Sequence, residues 1–296
     1  MLIQGKYLLI AIMIILTSAI AISTRILILQ YFHPPVINID PEFNQIIGYI
    51  IRFATVIGAI VIYLCSREYW EHTRPVYRII LFAILMMALT EQLFRFPIMA
   101  MVVDVPWPYQ VLAIIPSYLE YILLSLLISL FLNIVYKTNQ FKIFKYIVFA
   151  ILVTTLISYL QKIAQNALMP LLVYVSQFQI SKPIHPPYGM NIMIPEYITF
   201  IEPTIATFIM FYLIKDTLSM FSTLAKGLII GAILIITIHG GSYSIVPILS
   251  SQGNIFYRVF YYGQFLWEYL ALGILTVYSF AFLEKNRSNP FVDNEQ

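Results

Sequence analysis

The sequence predicts an all-α integral membrane protein of about eight transmembrane helices, arranged as two parallel four-helix repeats with both termini cytoplasmic. Three observations carry this expectation. The chain is 60% hydrophobic and only 10% charged over its 296 residues, whereas a soluble domain holds about 25% charged residues. Apolar runs of about 18 residues or more, each able to cross a hydrocarbon core about 30 Å thick, fill most of its length. The chain also repeats itself. YFHPPVINIDPEF at Tyr31–Phe43 returns as IHPPYGMNIMIPEY at Ile184–Tyr197, so that His33, Asn38 and Glu42 recur as His185, Asn191 and Glu196. Further out, Lys6-Tyr7 matches Lys145-Tyr146, and Ala83-Ile84-Leu85 matches Ala232-Ile233-Leu234. Glu120-Tyr121 followed by Lys137 matches Glu268-Tyr269 followed by Lys285 at the same spacing. Ordered landmarks of this kind mark a tandem duplication. The expected units are residues 1–141, residues 142–283 and a short polar tail, 284–296.

The predicted helices cover roughly 7–30, 46–65, 78–100, 110–136, 146–176, 195–214, 226–250 and 257–283. In the first, Lys6, the apolar run and Ala19-Ile20-Ala21 mimic a signal peptide. The apolar character continues to Leu29 and its start matches an internal helix, so a retained span is expected. Loop charges orient the bundle. Of the 17 Lys and Arg residues, only Lys182 and Arg258 fall in or at the edge of the odd-numbered loops, while Arg25, Arg52, Arg95 and Lys162 lie within spans. The other eleven lie in the N-terminus, in or at the edge of the even-numbered loops, and in the tail. By the positive-inside rule that face is cytoplasmic. Both HPP loops then face outward, and each half starts inside, so the repeats are parallel and related by an axis along the membrane normal. The prolines make these loops stiff connectors, and Pro195 suits the first turn of the sixth helix.

Several helices carry polar interruptions. In the third, Glu91 and Arg95 lie four residues apart on one face and can pair. The fifth, at about 31 residues, is longer than a bilayer needs. Its patch of Gln161, Lys162, Gln165 and Asn166, followed by Pro170, predicts a break there. In the seventh, His239-Gly240-Gly241-Ser242 and then Pro247 weaken the helix near mid-membrane, which is tolerated only where protein or water satisfies the freed backbone. In the eighth, Tyr257, Tyr261, Gln264 and Glu268 form one stripe.

Placed on this topology, the buried charges crowd toward the outer half of the bilayer. A charged residue at a helix centre is unfavourable by about 2.5–3.5 kcal/mol on insertion scales. One-sided clustering therefore predicts an outward-opening polar cleft between the repeats. Its candidate ligand-binding residues are Glu91, Arg95, Glu120, His239, Gln264 and Glu268. Glu120 and Glu268 are symmetry mates, and two carboxylates sharing one low-dielectric cleft cannot both stay ionised. The rival reading is a set of ion pairs that merely locks helices together.

Other chemistries find less support. Net charge +3 is too small to imply nucleic acid, and the single Cys65 excludes an intrachain disulfide framework. His33, Glu42, His185 and Glu196 form an outer-loop motif that symmetry brings together, but histidine followed by two prolines reads as a turn, and no metal is assigned. His239 lacks an obvious second axial ligand for haem, and no cofactor is assigned. His239 and Ser242 lie too close in the chain for a hydrolase pair. Three functions remain. One is a carrier or ligand-binding protein for a small solute or lipid-like molecule. The second is a membrane subunit or anchor docking an extracytoplasmic or membrane partner through its HPP loops. The third is an enzyme acting on a lipid-linked substrate at the outer face, with Asp40 and Glu42 as its acidic pair.

The topology has a direct test. In a Cys65→Ser background, cysteines placed at Asn38 and Gly189 should react with an impermeant maleimide added to intact cells, and one at Asn286 should not. Labelling at 286 from outside would invert the assignment.

Overall fold

A computed structural model describes residues 2–32, 41–102, 107–135, 142–177, 189–238, 244–245, 248 and 254–288. The side chains of 2–6, 32, 41–45, 132–135, 142, 257, 261 and 286–288 are not described. All regular structure among the described residues is helical. The elements are α1 (Leu2–Phe32), α2 (Pro41–Cys65), α3 (Arg67–Glu71), α4 (Pro75–Leu89), α5 (Arg95–Val102) and α6 (Trp107–Val135). They continue with α7 (Lys142–Ser176), α8 (Met190–Thr199), α9 (Ile201–Ile214), α10 (Thr223–Thr237), α11 (Ile255–Tyr262) and α12 (Gln264–Ser288).

Six stretches are long and apolar enough to cross a membrane: Tyr7–Tyr31, Ile46–Cys65, Trp107–Phe131, Ile143–Ser176, Met190–Ile214 and Gln264–Lys285. They fit a polytopic membrane protein. The predicted third and seventh spans depart from the expectation of eight full-length helices. They are represented by α4 and α10, each of 15 residues, or about 22 Å at 1.5 Å per residue. That is short of a hydrocarbon core of about 30 Å.

The stop after Leu89 has a local cause. Thr90 turns its hydroxyl back to the Met86 carbonyl at 2.8 Å, and Glu91 adopts φ 64°. A left-handed conformation is uncommon for a residue with a side chain. The chain resumes as α5, where Pro97 has no N–H to offer the Leu93 carbonyl. The Tyr118 hydroxyl donates to that carbonyl at 2.9 Å instead. In α10 the helix ends at Thr237, and Ile238 is extended. The His239–Ser242 segment beyond it lies outside the described residues, as do His33, Asp40 and His185 and the Glu42 side chain.

Two further expectations need correction. The predicted fifth helix does not break: α7 runs for 35 residues through Pro170. Lys162, Gln165 and Asn166 lie on its exposed side, where polar side chains exert no pull on the backbone. Pro195 does not open a helix either. Gly189 caps α8, which begins at Met190 and carries Pro195 inside it. Glu196, at the start of the predicted sixth span, thus lies in the second turn of α8.

The packing centres on α12, flanked by α1 and α10. Glycines allow α10 and α12 to approach backbone to backbone, as small residues do in membrane bundles. A Cβ added at Gly231 would lie 3.0 Å from Leu270 Cα, and one at Gly227 would lie 2.8 Å from Ile274 Cα. One at Gly273 would run into the Gly231 backbone. Thr17 and Ser279 hydrogen-bond between α1 and α12 at 3.0 Å. Elsewhere α2 packs on α10, α4 on α9 and α6, and α6 on α7. The α6–α7 contact includes the stacked rings of Phe131 and Phe149, 3.6 Å between centroids.

Gly273→Val should therefore lower thermal stability in detergent, with about 1–3 kcal/mol as the scale for overpacking. Gly48→Ala, whose added Cβ meets nothing within 4 Å, should change it little. Equal effects would show that the α10–α12 approach is not as close as described.

Candidate functional site

The break after α4 delivers two charged side chains into the apolar interior, and the rest of the site is assembled around them. Glu91 and Arg95 pair as their spacing predicts, Nε to Oε2 at 2.8 Å, across a turn instead of along a continuous helix. Arg95 Nη2 also reaches Glu196 Oε2 on α8 at 2.5 Å. The other oxygen of Glu196 accepts from Arg25 Nη2 on α1 at 2.6 Å. Arg25 Nε in turn lies 3.3 Å from Glu268 Oε2 on α12. Tyr269 closes the ring by donating its hydroxyl to Glu91 at 3.2 Å. Both guanidinium groups sit over aromatic faces, Arg25 over Phe265 and Arg95 over Phe200, each 4.9 Å from the ring centroid. Such cation–π contacts strengthen on desolvation.

The centre thus opposes two guanidinium groups to three carboxylates, drawn from α1, the α4–α5 break, α8 and α12. Glu268 is its deepest member, with its side chain 0% exposed. Neither of its oxygens accepts a hydrogen bond of good geometry. Gln264, one turn earlier, likewise has a buried carbonyl oxygen without a donor. Arg25 Nε is likewise buried without an acceptor of good geometry, so what the centre has in surplus is carboxylate charge, three acids to two guanidinium groups, which suits a ligand that brings positive charge.

A fourth carboxylate stabilises the break itself. Glu202 on α9 accepts from the backbone N–H groups of Leu93 at 2.9 Å and of Phe94 and Arg95 at 2.6 Å each. These are the N–H groups at the start of α5, which have no partner within that helix. A carboxylate there is also favoured by the helix dipole. Beside Glu202, α4 and α9 enclose an apolar groove of about 340 Å³ that runs to Trp70 and Leu213.

Among the predicted site residues, the structure brings together Glu91, Arg95 and Glu268, with Gln264 one helical turn before Glu268 on α12. Glu120 sits apart on α6, paired with Arg52 on α2 at 3.2 Å, so Glu120 and Glu268, expected to share one cleft, have separate partners. His239 lies outside the described residues. Three members were not on the list of ligand-binding candidates. In the sequence Arg25 and Glu202 are charges within the predicted first and sixth spans, and Glu196 belongs to the outer-loop motif. Their signal is the buried charge itself, since a buried cation needs an acid within reach. Among the described residues no group of His, Cys, Asp and Glu could hold a metal ion. No family model, curated protein or solved structure matches the chain.

Glu202→Ala should destabilise the protein by about 1–3 kcal/mol in all, since it removes three charge-assisted hydrogen bonds that are only partly buried. Amide exchange at Leu93–Arg95 should quicken, and Glu202→Gln, which keeps one acceptor oxygen, should show a smaller effect. Unchanged exchange in Glu202→Ala would remove the carboxylate from this role.

Proposed function

We propose that the protein is a membrane carrier or ligand-binding protein for a small solute or lipid-like molecule, whose cleft is the charged centre between two four-helix repeats. The observation that carries this reading is the broken helix. A bundle that needed only ion pairs for stability could place them on continuous helices. Here α4 stops in the apolar interior, frees backbone groups that Glu202 and Tyr118 take up, and presents Glu91 and Arg95 to partners on α8 and α12. Irregular backbone at membrane depth is tolerated where it lines a cavity or is buried in protein, and interrupted helices in corresponding positions of two halves are where transporter sites form.

The duplication is supported by the pattern of contacts. The interval from Pro75 to Thr223, the starts of the two short helices, equals that from Glu120 to Glu268. α1 packs on α12 as α7 packs on α6, and α2 packs on α10 as α9 packs on α4. Each pairing becomes the other when the halves are exchanged. The charge asymmetry of the loops supports a cell-membrane protein with both termini cytoplasmic.

The reading is tested on the purified chain in lipid nanodiscs, by thermal shift against amino acids, polyamines, dicarboxylates and lysophospholipids. A ligand at about 100 times its dissociation constant adds about 2.7 kcal/mol of stability. At least one compound should raise the midpoint of the native protein and fail to do so in Glu268→Gln. A chain that responds to none of them and co-purifies with an equimolar second polypeptide would be an anchor, and the carrier reading would fall.

A further inference from the structure

The pair formed by Arg52 and Glu120 lies outside the charged centre, and its surroundings assign it a different task. Arg52 reaches from α2 toward α6 and α7. It donates Nε to Glu120 Oε1 at 3.2 Å, Nη1 to Ser158 Oγ at 2.9 Å, and Nη2 to Gln161 Oε1. Glu120 and Gln161, but not Arg52, line an apolar groove of about 380 Å³ between α6 and α7. That volume lies within the usual range of small-ligand pockets, roughly 300–1,000 Å³. The remaining wall is hydrocarbon, chiefly Leu119, Leu123 and Leu126 of α6 and Ile157, Leu160 and Ile163 of α7. Leu119, Leu160 and Ile163 are exposed, so the groove opens sideways between the two helices.

Arg52 thus acts from behind, holding one oxygen of each polar side chain and leaving the other end of each for the groove. Glu120 Oε2 and Gln161 Nε2 make no hydrogen bond among the described residues, although the Glu120 side chain is only 5% exposed. A free acceptor and a free donor, held by one guanidinium at the wall of an apolar groove, define a recognition site. Its occupant has one polar group that both donates and accepts, and a long apolar remainder.

Charge and depth narrow the chemistry. Arg52 and Glu120 already neutralise each other, so an anionic head would meet the free glutamate oxygen with no cation to spare. A carbonyl head, as in a quinone, only accepts and would leave Glu120 Oε2 without a donor. Glu120 is 13 residues into the 29 of α6 and Gln161 19 residues into the 35 of α7, so the polar pair sits midway along both helices. A charged headgroup held there would lie in the hydrocarbon, far from the interface where such groups are solvated. We propose that the α6–α7 groove binds a neutral long-chain lipid alcohol, whose hydroxyl donates to Glu120 Oε2 and accepts from Gln161 Nε2. This site does not depend on the carrier reading, because it shares no residue with the charged centre.

The test uses the full chain in nanodiscs and a hexadecanol carrying a mid-chain diazirine, photolysed and mapped by peptide mass spectrometry. Label should concentrate in residues 116–126 and 157–164 and be competed by free hexadecanol. The matching methyl ether and fatty-acid probes should label these segments at least about fivefold less. Gln161→Leu removes the amide donor and leaves the Arg52–Glu120 pair intact. It should reduce labelling about tenfold, the effect of losing about 1.4 kcal/mol of binding. Leu123→Trp, which fills the groove without touching the polar groups, should abolish labelling even if Gln161→Leu proves unstable. Equal labelling by the three probes, or labelling that survives Leu123→Trp, would mean that ordinary surrounding lipid occupies the groove, and would overturn the proposal.

Discussion

Arg25 and Arg95 must be neutralised inside an apolar bundle, and the helices that meet there are those that can bring an acid to them. A guanidinium cannot shed its proton under cellular conditions. Burial without a partner would therefore be prohibitive, and even a paired ion must recover a desolvation cost of several kcal/mol. Glu196 resolves most of the problem by giving one oxygen to each arginine. This ties α1 to α8 and α8 to the start of α5. Glu268 adds α12. Four elements distant in sequence are thus held by groups that would each be unfavourable alone.

The same constraint explains why α4 stops. A continuous helix from Pro75 to Val102 would leave only the Leu93 carbonyl opposite Pro97 without its helical donor, but the left-handed Glu91 redirects the chain so that Glu91 and Arg95 turn inward together. The N–H groups freed by that turn are taken by Glu202, and the carbonyl released by Pro97 is taken by Tyr118. Locally strained backbone of this kind costs on the order of 1–3 kcal/mol and persists where its surroundings over-determine it. α4 ends at Leu89 and α10 at Thr237, two short helices where a simple packed bundle would carry full-length spans.

Much of the fold was legible because hydropathy acts over long windows. The six long apolar helices follow the predicted spans closely, and the pairing of Glu91 with Arg95 follows from their spacing alone. Less legible was anything decided by contact between distant elements. Glu120 and Glu268 look interchangeable in the chain, yet Arg52 lies beside one and Arg25 beside the other. Glu196 reads as part of an exposed Pro-Glu motif until α8 is seen to extend back to Met190. The polar patch on α7 suggested a break, but its exposed members do not disturb the backbone, and Gln161 alone turns inward to Arg52.

The protein thus keeps two kinds of polar group within its apolar interior. One is a charged centre where α1, the α4–α5 break, α8 and α12 meet, with three carboxylates facing two guanidinium groups. The other is a neutral pair at the wall of a lipid-facing groove. Of the two, the charged centre is the one on which the architecture rests. A double-mutant cycle on Arg25 and Glu196, built from Arg25→Met, Glu196→Gln and the double variant, measures it most directly through stability in nanodiscs. The account predicts a coupling energy of about 1–3 kcal/mol, in the range found for residues that share one ion-pair network. Additive effects of the two substitutions, with no coupling, would contradict it.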